Sequence, residues 1–308
     1  RSPAVLPESE KVRDHGYATS TPACDGQRLY VFFGKSGVFA FDLTGKQLWK
    51  AKVGDHHHSW GSAASPVLYK DLVIINACVE SESLIALDKN TGKEKWRVKG
   101  IKESWNTPMI ISTPEGRSEL VIALLGKILA FDPDTGGALW SSDTEIKWYM
   151  APSIVSHKGI VYSLGGRGGV AAVAVRSGGK GDVTRTHRLW TNTKGSNVSS
   201  PIIHENYLYW MHDSLGLAYC AEAQSGKIVY EERLPRIGQV YASPILADGK
   251  LYYVARSGRT FVVKANPRYE LLAINDLSDK SIFDGSPAVA GNRLYLRSDR
   301  FLYCVGSR

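Results

Sequence analysis

Long apolar runs, helical periodicity and paired cysteines are what this sequence lacks. No stretch approaches the roughly 18 apolar residues that a membrane-spanning helix needs. Nowhere do apolar residues recur at three- and four-residue intervals, so no amphipathic helix is expected. There are only four cysteines, Cys24, Cys78, Cys220 and Cys304, and none stands in C-x-x-C spacing. That excludes a disulfide framework and a zinc site of the usual pattern. Basic residues exceed acidic ones, 38 to 30, yet no block of Lys and Arg forms a nucleic-acid patch. The surplus reads as a mildly basic solvated surface or as an anion-binding face. The first residue is Arg rather than Met, so the chain is read as a processed or trimmed form, with any signal peptide out of view.

What is present is a repeat. A small residue, then Pro, then apolar residues recur at Pro22, Pro66, Pro108, Pro152, Pro201, Pro244 and Pro287. The intervals are 44, 42, 44, 49, 43 and 43 residues, and a period near 44 divides the 308 residues into seven units. A period in the forties built of short β-like runs fits the blades of a propeller. Within each unit the Pro phrase opens the innermost strand. An aromatic and β-branched run follows, such as "LVIINA" (72–77) or "YLYWM" (207–211), then a Gly-rich turn and a third strand. The expected fold class is therefore all-β, one propeller domain over 1–308 with seven four-stranded blades; eight blades are the alternative. The last unit ends after its third strand, so part of the segment 1–20 is expected to supply the fourth and close the ring, which would remove exposed sheet edges.

A second phrase marks the passage from third to fourth strand: "FDLTGKQLWK" (41–50), "LDKNTGKEKWRV" (87–98) and "FDPDTGGALWSS" (131–142). It resembles the pyrroloquinoline-quinone-type repeat, also called the tryptophan-docking propeller repeat, and the resemblance covers essentially the whole chain. It implies that Trp49, Trp96, Trp140 and Trp190 pack against neighbouring blades. Gly45, Gly92 and Gly136 would supply a positive φ, and Asp42, Asp88 and Asp132 would cap the turn. The fifth unit keeps Ser-Gly-Lys around Gly226 but has Tyr230 for Trp, and the last two units lose the phrase. Members of the family include quinoprotein dehydrogenases and non-enzymatic scaffolds of the outer-membrane assembly type. The dehydrogenases hold the quinone with a vicinal Cys-Cys disulfide and a calcium site. This chain has no Cys-Cys pair and no acidic cluster spaced like a calcium loop, so no cofactor is expected. The resemblance also implies an extracytoplasmic location, periplasmic or secreted.

Setting the docking Trp aside exposes a different group. Trp60, Trp105 and Trp148 all fall just before an inner strand, joined there by Tyr17, Tyr149, Tyr241, Asp284, Asn106 and Gln239. Loops between second and third strands add Arg167, Arg256 and Arg297. These residues form the candidate binding face, aromatic and basic, suited to a protein or polysaccharide partner, anionic or not. The bland alternative is that the aromatics merely plug the blade tops. No nucleophile–base pair or paired carboxylates can be read from spacing, so no catalytic residue is named. A quinone- or metal-dependent oxidoreductase or polysaccharide-active enzyme on the same face is the second reading. "HHHSW" (56–60) makes His56, His57 and His58 weak metal candidates, because adjacent loop histidines rarely face one ion. A monomer is expected. Two further expectations concern detail: Cys220 and Cys304 fill the small apolar slot that Ala40, Ala86 and Ala130 occupy in other units, and the insertion "RSGGKGDVTRTHRLW" (176–190) is an exposed basic loop.

Overall fold

In a computed structural model of the chain, residues 19–166 and 168–306 are described. Among the described residues, seven sheets built on antiparallel meanders follow one another along the sequence. The first is built of Ala23–Cys24, Arg28–Phe32, Val38–Asp42 and Gln47–Ala51, in that order across the sheet. The other sheets repeat this meander from first strands at Val67–Tyr69, Met109–Ser112, Val155–His157, Ile202–His204, Ile245–Ala247 and Ala288–Ala290. Each first strand opens one to three residues after the proline of its unit. The fold class is all-β, a seven-bladed β-propeller with the four-stranded sheet as its unit. Among the described residues the seventh sheet has three strands, ending with Leu302–Gly306. The segment expected to complete it, 1–20, lies outside the described residues but for Thr19 and Ser20.

The chain divides into two compact units. Among the described residues, one comprises 19–154 with 177–187 and holds the first three sheets; the other comprises 155–166, 168–176 and 188–306 and holds the last four. Among the described residues helix is confined to single turns at Cys78–Ser81 and Thr184–His187 and a 3-10 turn at Gly34–Ser36.

Inside each unit, the two repeated phrases do their work between adjacent sheets. In the first, a Ser or Thr hydroxyl beside Pro66, Pro108 and Pro152 accepts a backbone amide of the preceding repeat. Thr21 N–H donates to Ser65 Oγ (2.9 Å), Ser65 N–H to Thr107 Oγ1 (2.9 Å) and Thr107 N–H to Ser153 Oγ (3.2 Å). In the second unit Ser200 N–H donates to Ser243 Oγ and Ser243 N–H to Ser286 Oγ, both at 3.0 Å. A ladder of side-chain acceptors thus satisfies amides that no strand partner could reach.

The second phrase combines a turn with a socket. Asp42 Oδ1 accepts the amides of Thr44 and Lys46 and the Thr44 hydroxyl, which hold its pKa below the usual carboxylate range. Asp88 accepts the amides of Asn90 and Thr91, and Asp132 those of Asp134 and Thr135. Gly92, Gly136 and Gly226 have φ of +71°, +74° and +72°. A Cβ at each would meet the indole of Trp49, Trp96 or Trp190 of the sheet before at 2.6, 2.9 or 2.5 Å. Each of these Trp donates Nε1–H across the same junction, to Lys89 O (3.0 Å), Pro133 O (3.2 Å) and Ala223 O (2.9 Å). Directly across the strand from each aromatic residue sits a small one: Ala40 opposite Trp49, Ala86 opposite Trp96, Ala130 opposite Trp140, Ala174 opposite Trp190 and Cys220 opposite Tyr230. The register slips immediately after that pair in every case, a bulge that bends the fourth strand and re-aims its side chain.

Two expectations are corrected here. Cys220 is buried, with its thiol pushed up to about 12 by burial, but Cys304 is exposed. Among the described residues no fourth strand covers Cys304, and Arg293 Nη1 beside its sulfur draws the thiol below its usual pKa. The insertion is not a free loop. Its Gly181–Asp182 pairs in parallel with Ala138–Asp143 as a fifth strand of the third sheet, Val183 is buried, and Val183 N–H donates to Ser141 O (2.9 Å). It also replaces the socket that Trp140 lacks. Trp140 Nε1–H donates to Glu119 Oε2 of its own sheet (2.7 Å), the same oxygen accepts Gly178 N–H (3.3 Å), and Arg117 pairs with Oε1.

Candidate functional site

In the first unit, the loops that precede the second, third and fourth inner strands carry one run of rings. His58 meets Trp105 edge-on with centroids 5.0 Å apart, Trp105 meets Tyr149 edge-on at 5.4 Å, and Tyr149 meets Trp148 at 5.4 Å and 41°. Trp60 follows on the His58 turn, its amide donating to His58 Nδ1 (3.2 Å). Burial divides these rings. Trp105 is only 9% exposed and its Nε1–H donates to Gly61 O (2.8 Å), whereas Trp60 and Trp148 are 42% and 36% exposed. The buried indole supports the cluster, and the two outer indoles present ring area to solvent.

Backbone and buried polar groups hold this base. Trp105 N–H donates to Met150 O (2.7 Å) and Met150 N–H to Glu103 O (2.9 Å). Beneath them Asn76 Nδ2 donates to Ser104 O (2.8 Å) and Asn106 O (2.9 Å), while Asn106 Nδ2 donates to Ala123 O (2.6 Å). Sequence reading placed Asn106 among binding-face residues; here it is buried and spent on backbone carbonyls. Asn76, Ser104 and Gly61 carried no local signal, because their role depends on partners 28 to 44 positions away. The Cys78 thiol is buried against Ser104 O, and burial pushes it up to about 12, which makes it inert rather than nucleophilic.

Beside the His56–His58 loop lies Glu80, which is 2% exposed. Its Oε1 takes the Ser62 hydroxyl and its Oε2 has no partner. Burial raises its pKa to about 7, only partly offset by the Ser62 bond. Its backbone oxygen accepts the His56 amide (3.2 Å) and also fills the space where a Cβ of Gly54 would stand, 2.0 Å away.

In the second unit, Tyr241, Arg256 and Asp284 come together. The Arg256 guanidinium lies 4.5 Å from the centre of the Tyr241 ring and grips Asp284 with two bonds, Nε to Oδ1 (2.7 Å) and Nη2 to Oδ2 (3.2 Å). Gln239 Oε1 accepts Arg256 Nη1 (3.2 Å). The exposed Arg297 runs past Gly285, its Nε 3.6 Å from where a Cβ there would stand. Tyr17 and Arg167 lie outside the described residues.

Residues 8–232 match the family described as outer membrane protein assembly factor BamB. The chain belongs to that family. Among solved structures, BamB from Moraxella catarrhalis is similar with a TM-score of 0.70, at 15% identity, over 91% of this chain and 80% of that one. The computationally designed Ika8 protein is similar with a TM-score of 0.70, at 14% identity, over 93% and 83%. At those identities the likeness speaks for the fold. The quinoprotein alcohol dehydrogenase PedH of Pseudomonas putida is 31% identical over 174 residues, 53% of this chain. The chain spans only 27% of that relative's length.

This BamB-family chain gathers no metal-binding cluster: among the described residues no three His, Cys, Asp or Glu side chains stand close enough to share an ion. His56, His57 and His58 are not brought to further ligands, and His58 is turned onto Trp105. Nor is any helix among the described residues long and apolar enough to cross a membrane.

Proposed function

We propose that this chain is a non-catalytic scaffold, working outside the cytoplasm, that docks a protein partner on its loops. The observation that carries this reading is the pair of half-exposed indoles, Trp60 and Trp148, mounted on a pinned base of Trp105, Tyr149 and His58. Rigid aromatic side chains that lose little entropy on contact are the usual anchors of protein interfaces. The family name, an assembly factor of the outer membrane, favours a protein over a polysaccharide partner and an extracytoplasmic site. Affinity capture from an envelope fraction tests it. A partner retained by the parent chain and lost from the Trp60→Ala/Trp148→Ala variant supports it; capture of the same proteins by both refutes it.

A second reading, a quinone-dependent oxidoreductase, draws on the 31% identity to the PedH segment. The donor set does not fit the group such enzymes hold. Cys24, Cys78, Cys220 and Cys304 are free thiols, and no carboxylates converge as calcium ligands among the described residues. Adding pyrroloquinoline quinone with calcium and following Tm decides: a ligand specific to the folded state must raise it, as the oxidoreductase reading predicts, whereas the scaffold reading predicts no shift.

A further inference from the structure

We propose that the loops of the sixth and seventh sheets recognise an acidic peptide segment in which a carboxylate side chain is flanked by apolar residues. This rests on the reading of the chain as a protein-docking scaffold and adds a second, charge-reading surface with its own partner chemistry.

The base of this surface is fixed. Arg256 N–H donates to Gln239 O (3.0 Å) and Phe283 N–H to Arg256 O (3.0 Å); Asp299 N–H donates to Ile282 O (2.9 Å) and Ile282 N–H to Asp299 Oδ1 (2.8 Å). Phe283 is fully buried, stacks on Tyr303 at 5.8 Å and fills the space beside Gly258, where a Cβ would come within 2.7 Å of its ring. The loops are therefore built before any partner arrives, which lowers the entropic cost of binding.

The carboxylates on this base are engaged, but one guanidinium is not. Asp284 has both oxygens on Arg256, and Asp299 has one oxygen on the Ile282 amide with Arg300 Nε about 4.0 Å from the other. Arg297 is left: it is exposed and takes no acidic partner among the described residues. Asp279, the third carboxylate, accepts the Tyr303 hydroxyl near Arg300, so of the three guanidinium groups only that of Arg297 has no carboxylate beside it among the described residues. A guanidinium presents a planar fork matched to a carboxylate, so the vacancy in charge is best met by Asp or Glu of a partner. On the same two loops Ile282 and Phe301 are 46% and 56% exposed. An isolated exposed apolar residue means little, but two of them beside an unpaired arginine favour an amphipathic acidic segment over a bare polyanion, which would gain nothing from them. Rim charges of this kind set association rate and salt dependence as well as affinity.

Fluorescence anisotropy on the full chain tests this with a labelled peptide of alternating Glu and Leu. Two control peptides have Gln for Glu or Ser for Leu, and alginate serves as a polyanion without apolar groups. The expected result is binding of the Glu-Leu peptide that weakens with salt, weakens at least about tenfold in Arg297→Glu and in Phe301→Ser, and is lost with both control peptides. Tm of each variant shows that the fold is kept. Equal binding by Arg297→Glu, equal binding of the Gln peptide, or alginate binding without peptide binding overturns the proposal. Failure here with the Trp60/Trp148-dependent capture intact removes only this surface; loss of that capture with peptide binding intact removes only the aromatic one.

Discussion

The six-membered ring of Trp49 lies against Gly92 of the next sheet, so close that a β-carbon on Gly92 would stand 2.6 Å from it. One residue therefore meets two demands, a left-handed turn and an open socket. Gly45 has a similar φ, +89°, but nothing within 4 Å of its would-be Cβ. The pair separates the two demands. Gly92→Ala should cost about 2–4 kcal/mol, and Gly45→Ala about 1–2 kcal/mol from the turn alone. Denaturant unfolding of the two variants checks the difference.

Glu80 gives the stability of the chain a pH signature. Its pKa is about 7 in the folded chain, against 4.5 for an unperturbed glutamate carboxyl. Below pH 4.5 it is protonated in both states and costs nothing. As pH rises the unfolded chain loses this proton first, so stability falls until pH passes about 7 and then levels, by about 3 kcal/mol in all. Glu80→Gln should remove that fall: the difference in stability between variant and parent should move in the variant's favour between pH 5 and pH 8 and stay flat beyond.

Burial assigns opposite phenotypes to neighbouring aromatic residues. Trp105→Ala should lower stability by about 3–5 kcal/mol, because it empties a buried site and orphans Gly61 O. Trp60→Ala should stay within about 1 kcal/mol of the parent. Thermal unfolding ranks the two before any binding is measured.

The insertion should depend on Glu119. Replacing it with Gln removes one of the acceptor oxygens that Trp140, Gly178 and Arg117 share and neutralises a buried carboxylate. The expected loss is about 2 kcal/mol, kept modest because Arg117 is half exposed. Hydrogen exchange should speed up in 177–187 and in Ala138–Asp143 while the fifth to seventh sheets are unchanged.

The repeat was legible because its demands are local. A proline fixes where each first strand starts, and Asp, Gly and Trp stand at set spacing because one turn must be capped, left-handed and open to an indole. What the sequence did not show depends on distant partners. Nothing near Thr107 tells that its hydroxyl receives the Ser65 amide, and nothing near Gly181 tells that it pairs beside Trp140. Ala40 opposite Trp49 is a small residue in a pattern until the register shows why it is small. The same limit held at the candidate site. Trp60, Trp105 and Trp148 looked alike from their positions before inner strands, and only the bonds of Trp105 to Gly61 and Met150 set it apart as support. Tyr241, Arg256 and Asp284 share a face by their positions in the loops, yet the two-point grip of Arg256 on Asp284 joins residues 28 positions apart and leaves no local mark.

Site-resolved cross-linking tests the scaffold reading most directly. A photoreactive phenylalanine analogue at position 60 or 148 should trap a protein in the native envelope, and the same group at Leu43, exposed in the turn between third and fourth strands, should not. Adducts from 60 and 148 alone are the predicted result. Adducts from 43 with none from 60 or 148 would contradict it.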